Sequence, residues 1–193
     1  MSRGTPAPLF RPPHGDLALT LYRPLEAPRG SLRAKVFRAG APLALSSMLP
    51  LFEDMGVEVA DERPYEITPS ERESVWIYDF GLTYRGEQDL QTDLVREAFQ
   101  ESFIRAWSGD AESDGYNRLV LRAGLNWHET TVLRAIGRYL RQAGTTFSDR
   151  YVEQALATNA PLARLLSTWG AGMLFAGMLF LGGASGLSPA GGR

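Results

Sequence analysis

The sequence predicts an α+β fold: a four-stranded antiparallel sheet with helices on one face, followed by an all-α helical segment. Three observations predict it. Runs before residue 85 alternate apolar and polar side chains with the period of two of a half-buried strand. From Asp89 onward the apolar spacing switches to the 3.6-residue period of helices. Strands with one apolar and one polar face suit an antiparallel sheet open to water on one side, because parallel strands are covered on both faces.

Residues 1–15 hold four Pro, two Gly and no apolar run, and read as a disordered lead-in without a signal-peptide core. Leu17, Leu19 and Leu21 alternate with Ala18 and Thr20 and mark a strand. A turn containing Pro and Gly spans 24–30, and a second strand follows at Leu32–Arg38, placed to pair as a hairpin. Leu45, Met48, Leu49, Phe52 and Met55 have helical spacing, with Ser46 as N-cap, Pro50 in or near the first turn and Gly56 at the stop. Val57-Glu58-Val59 opens a strand bounded by Pro64. Trp76, Tyr78, Phe80, Leu82 and Tyr84 line one face of the strongest strand.

A long helix to about Ser108 carries Leu90, Leu94, Ala98, Phe99, Phe103 and Trp107 as its apolar stripe. A second, Asp114–Ala123, buries Tyr116, Leu119 and Val120 and stops at Gly124. A third begins at Asn126, with Glu129 at capping-box spacing and Val132, Leu133, Ile136, Tyr139 and Leu140 as its apolar face. A fourth runs from Ser148 to about Ala157 and presents Tyr151, Val152 and Leu156. The organisation is then 1–15 lead-in, 16–88 α+β domain, 89–166 helical segment and 167–193 tail.

Composition removes much chemistry. The 193 residues are 44% hydrophobic and 22% charged, which suits a globular chain. There is no Cys, so no disulfide, thiolate nucleophile or thiolate metal site. Two His (His14 and His128) exclude a His-rich metal centre, and Lys35 is the one Lys beside nineteen Arg. The net charge of -2 argues against a nucleic-acid partner. That total hides a division: +5 over 1–41, -12 over 42–115 and +5 over 116–193. Acidic and basic stretches so divided either face each other or face a larger partner.

Several stretches carry a family resemblance. They include Leu32-Arg33-Ala34-Lys35-Val36-Phe37-Arg38, Met48-Leu49-Pro50, Glu53-Asp54-Met55-Gly56-Val57 and Asp61-Glu62-Arg63-Pro64-Tyr65-Glu66. Val75-Trp76-Ile77-Tyr78-Asp79-Phe80, Asp114-Gly115-Tyr116-Asn117-Arg118-Leu119-Val120-Leu121 and Ala123-Gly124-Leu125-Asn126-Trp127 continue it. In order and spacing, from about residue 16 to 165, this resembles a segment of the very large bacterial NAD-specific glutamate dehydrogenases. The resemblance implies an ACT-like regulatory fold, then the helical segment that precedes a catalytic region. It also implies a parent enzyme that oxidatively deaminates glutamate to 2-oxoglutarate with NAD in the cytoplasm. Such catalysis needs lysines for the substrate carboxylates and a glycine-rich turn for the dinucleotide. Lys35 lies in a strand, and Gly182-Gly183-Ala184-Ser185-Gly186 has the wrong spacing. No catalytic, cofactor-binding or metal residue is carried over, and the chain reads as a fragment or truncated product whose partner is the catalytic region or oligomer of the dehydrogenase.

The tail departs from the family. From Ser167 to Leu181 it is apolar and Gly-rich, and no charge falls between Arg164 and Arg193. It supports three readings: an out-of-frame tail, an apolar extension packed on the helices, or a membrane anchor of sufficient length. Its six Gly between 170 and 186 weigh against the anchor.

Two groups of residues stand as candidate sites. Gly40, Ala41 and Leu43 lie in the loop before the first helix, where backbone N–H groups can face the carboxylate of an amino acid. Arg118, Arg122, Arg134, Arg138 and Arg141 form a basic stripe at helical spacing, fit to dock on an acidic face. His128-Glu129 begins a zinc-protease pattern that Val132 breaks. A stand-alone amino-acid sensor and a membrane-tethered interaction domain are the competing functional readings.

Overall fold

The alternating leucines of the first strand set the sheet. The computed structural model describes residues 17–68, 73–86, 90 and 92–170. In it β1 (Leu17–Tyr22) and β2 (Ser31–Ala39) form an antiparallel hairpin with Leu19 opposite Val36. Gly30 closes the turn at φ +76, and a Cβ there would lie 2.5 Å from the Tyr84 carbonyl oxygen. Only glycine meets both demands.

The helix α1 (Leu45–Asp54) differs from expectation at its start. Ala44, not Ser46, is the N-cap and gives no side-chain bond, so Pro50 falls in the helix interior. Tertiary packing explains the earlier start, because Met48 and Phe52 are wholly buried beneath the sheet. Gly56 follows at φ +82, as the stop signal requires.

β3 (Val57–Ile67) and β4 (Val75–Tyr84) complete a four-stranded antiparallel sheet of order β1-β2-β4-β3. Pro64 does not bound β3; it pairs opposite Tyr78 within the strand. The strand order makes β3 an edge, where a missing N–H can face outward without breaking the ladder.

α2 (Thr92–Ser108) packs across β1, although its spacing groups it with the later helices. Its inward positions are Val95, Phe99 and Phe103; Leu94, one residue off this i, i+4 line, is 76% exposed. Phe103 meets Phe52 at 4.7 Å between ring centroids, and Phe52 meets Phe80 of β4 at 5.0 Å. These rings join both helices to the sheet in one core. The Gln100 side-chain oxygen accepts the Leu21 N–H at 3.0 Å, which occupies a donor on the β1 edge.

A 3-10 turn (Gly115–Arg118) leads into α3 (Leu119–Ala123), α4 (Trp127–Gln142) and α5 (Asp149–Thr158); residues 160–170 are helical again. The capping box at Asn126 is complete: Asn126 Oδ1 accepts the Glu129 N–H at 3.0 Å, and Glu129 Oε2 accepts the Asn126 N–H at 2.8 Å. Gly124 takes the left-handed conformation that ends α3. Tyr139 and Leu140, expected inside α4, are exposed, while Thr130, Arg134 and Gly137 are buried with Leu133. Leu119, Leu133, Leu156 and Ala163 form a second core. α3 joins the two, since Val120 and Leu121 reach the sheet core.

The lead-in 1–15 and most of the apolar tail, 171–193, lie outside the described residues. Among the described residues, no helix is long and apolar enough to cross a membrane.

Candidate functional site

The loop after β2 is built from a glycine at φ +83 and a helix start. The Gly40 N–H donates to the Ser74 carbonyl at 2.8 Å, and the Leu43 N–H donates to the buried Tyr78 hydroxyl at 2.7 Å. Glu73 stands beside Gly40, where its carboxylate oxygen lies 2.6 Å from the position of an added Cβ. Two of the three backbone donors expected to face a ligand carboxylate are therefore committed within the fold. The carboxylate already present opposes a second one.

The five arginines do not share one environment. Arg134 is 4% exposed, against the solvated position its spacing suggests. Its Nε donates to Asp114 Oδ2 at 2.6 Å; its Nη2 donates to Asp114 Oδ1 at 2.9 Å, to Asn117 Oδ1 at 2.7 Å and to the Glu112 carbonyl at 3.3 Å. Asp114 also accepts the Tyr116 N–H at 3.1 Å, so one carboxylate both caps the 3-10 turn and anchors α4. Arg138 pairs with Glu112, and Arg141 with Asp149. Arg118 is exposed beside Gly56, and Arg122 is half-buried near Tyr84. Arg134 and Arg138 of α4 thus close on the acidic segment of the same chain, while Arg141 pairs with Asp149 at the start of α5.

Tyr116 lies under this network, and its hydroxyl reaches the backbone of Gly137. Burial, then the negative charges of Glu153, Asp149 and Asp114, push its phenol up to about 12, against the opposing pull of Arg134. Glu153 is also raised: burial comes first, then Asp114, with Arg118 opposing and Asp149 and Asp54 adding to the rise.

A second junction was not legible as a site. Trp127 Nε1 donates to Glu101 Oε1 at 2.9 Å, and Arg105 Nε donates to the same oxygen at 3.1 Å. The Arg105 guanidinium lies 4.1 Å from the Trp127 ring centroid, so charge, hydrogen bond and ring face together tie α2 to α4. The signal available in the sequence was the acidic cluster of Glu101, Glu112 and Asp114 preceding a run of arginines. Lys35 lies opposite Asp79 on the helix-free face of the sheet, 5.7 Å from the Tyr22 ring centroid. Among the described residues no group of three or more acidic or His side chains converges to hold a metal.

Two family models match successive parts of the chain. The family model described as "Glutamate dehydrogenase, ACT3 domain" matches residues 16–95, and "Glutamate dehydrogenase, helical motif 3" matches 111–169. The NAD-specific glutamate dehydrogenases of Halomonas elongata and Pseudomonas aeruginosa are each 39% identical over 150 residues, which is 78% of this chain and 9% of each relative. That of Mycobacterium tuberculosis is 37% identical over 135 residues, 67% of this chain and 8% of the relative. The chain therefore spans under a tenth of the length of these relatives. It belongs to the family of NAD-specific glutamate dehydrogenases, and the portion it matches is the non-catalytic pairing of an ACT3 domain with helical motif 3.

Proposed function

We propose that this chain is the regulatory and helical portion of a cytoplasmic NAD-dependent glutamate dehydrogenase. The parent enzyme converts L-glutamate, NAD and water to 2-oxoglutarate, ammonium and NADH. The observation that carries the reading is that an ACT-type sheet unit and a helical motif occur in the family's order, joined through α3 and the Trp127–Glu101–Arg105 junction. A part that positions other parts needs such a rigid join more than it needs reactive groups.

The side chains support a structural role. Arg134, Arg138, Asp114 and Glu112 are committed to one another, and Lys35 sits on a cross-strand position beside an aromatic ring. The residues do not fit a dinucleotide either. A diphosphate needs free N–H groups at a strand-to-helix turn, whereas the Gly40 and Leu43 donors are occupied and Glu73 is adjacent. NAD is accordingly assigned to the parent enzyme and not to this chain. Arg118 and Arg122, which make no salt bridge among the described residues, are the members of the basic stripe left to dock on an acidic face of that enzyme.

The purified chain, given L-glutamate and NAD, should form no NADH beyond a heat-killed control. Turnover above that control refutes the non-catalytic assignment.

A further inference from the structure

Hydroxyls on the helices of this chain commonly donate back to a carbonyl of the preceding turn. Ser108 Oγ reaches the Ile104 carbonyl at 3.1 Å, Thr130 Oγ1 the Asn126 carbonyl at 3.0 Å and Thr158 Oγ1 the Gln154 carbonyl at 2.9 Å. Ser102 differs. It sits on the same turn of α2 as the fully buried Phe99 and Phe103, is itself 3% exposed, and its Oγ has no hydrogen-bond partner among the described residues. A buried hydroxyl left in this way carries its whole desolvation cost, so its position asks for a reason.

Ser102 lines a small cavity where α2, the 3-10 turn, α3 and α4 meet. Asn117, Val120, Thr130 and Arg134 share the wall, and the volume is about 10 Å³, room for one water-sized sphere and nothing larger. Two of these residues have hydrogen-bonding capacity to spare. The Asn117 amide nitrogen gives one hydrogen to the Glu112 carbonyl at 3.3 Å and keeps the second, while Thr130 Oγ1 donates to Asn126 and keeps its lone pairs. Ser102, Asn117 and Thr130 thus make three polar partners, the number that a buried water ordinarily holds. The charges on the wall are already matched, Arg134 by Asp114 and Glu112 by Arg138, so the site suits a neutral occupant.

We infer that this cavity is the binding site of one structural water molecule, which links Ser102 of α2 to Asn117 and Thr130 of the helical motif. The ACT3-domain match ends at residue 95 and the helical-motif match begins at 111, so Ser102 belongs to the connecting stretch and the other two partners to the motif. The water is a buried polar tie between α2 and α4, beside the more exposed Trp127–Glu101–Arg105 junction. It stands apart from the family role, because every group it uses lies in this chain.

The test joins urea unfolding to oxygen-17 relaxation dispersion of water, both on the full chain. Ser102→Ala keeps the space but takes one partner from the water, and should raise the unfolding equilibrium constant by about three- to tenfold, although alanine is the better helix former. A dry cavity predicts the opposite sign, since alanine would remove an orphaned hydroxyl. Ser102→Val places a methyl group where the water sits, and the dispersion amplitude should fall by one long-lived water relative to the parent. A Ser102→Ala protein at least as stable as the parent overturns the inference. So does a parent chain whose dispersion shows no long-lived water, or a Ser102→Val chain with the parent's amplitude.

Discussion

The buried pair between α4 and the 3-10 turn makes a sharp quantitative prediction. Arg134→Ala removes a guanidinium that is only 5% exposed in its side chain and leaves Asp114, 28% exposed, without its main counter-charge. It also strips a donor from the buried Asn117 carbonyl oxygen. Removing one partner of a buried pair costs roughly 3–5 kcal/mol, because the other charge stays desolvated. Asp114 retains some water and still accepts the Tyr116 N–H, which places the expected cost near the lower end, about 3 kcal/mol. For a chain of this size that is a fall in Tm of about 6–12 °C.

Urea unfolding followed by far-UV circular dichroism should show the loss as a lower midpoint with an unchanged slope. Arg138→Ala should scarcely move the midpoint, since that guanidinium and Glu112 are both half in water. Combining Arg134→Met with Asp114→Asn should cost less than the sum of the two single changes, as the orphaned charge is gone. An Arg134→Ala protein as stable as the parent, or an Arg138→Ala protein equally damaged, would refute the claim that burial decides the strength of these pairs.

Phe103→Ala should cost about 3–5 kcal/mol in urea unfolding because it opens a cavity between α1, α2 and β4, whereas Leu94→Ala should stay within about 0.5 kcal/mol. Gly30→Ala should destabilise by roughly 1–3 kcal/mol in the same assay, since the turn needs its positive φ and the Tyr84 backbone cannot yield. Glu153 binds its proton more tightly in the folded state, so its effect on stability weakens as pH rises through the ordinary glutamate range and becomes a penalty above its raised folded value. Glu153→Gln should therefore raise Tm at neutral pH, and the gain should vanish on acidification; a gain that persists at low pH contradicts the assignment.

The sheet was legible because its chemistry is local. Alternation in β1, β2 and β4 put Leu19, Val36 and Phe80 inside, and each is buried as the period of two requires. The capping box of the helical motif was legible for the same reason: Asn126 and Glu129 satisfy each other's backbone donors three residues apart. Misreadings occurred where tertiary partners decide. Pro64 breaks a central strand but not an edge, and edge status depends on strand order, which no local pattern contains. Leu94 and Val95 are both apolar, and only the direction of the sheet from α2 selects Val95. Arg134 had the spacing of a surface residue; its burial depends on Asp114, twenty residues earlier, reaching across to it.

The charge division acquires a physical meaning from these contacts. Arg33 of the basic first stretch bonds Asp79 at 2.8 Å and Asp61 at 3.2 Å, both in the acidic middle. From the other side, Arg134 and Arg138 close on Asp114 and Glu112, also in the middle. Four acids of the middle, Asp61, Asp79, Glu112 and Asp114, are thus held by arginines of the two flanks. Charges so paired have little left for a partner, because a second counter-ion would compete with one already bound.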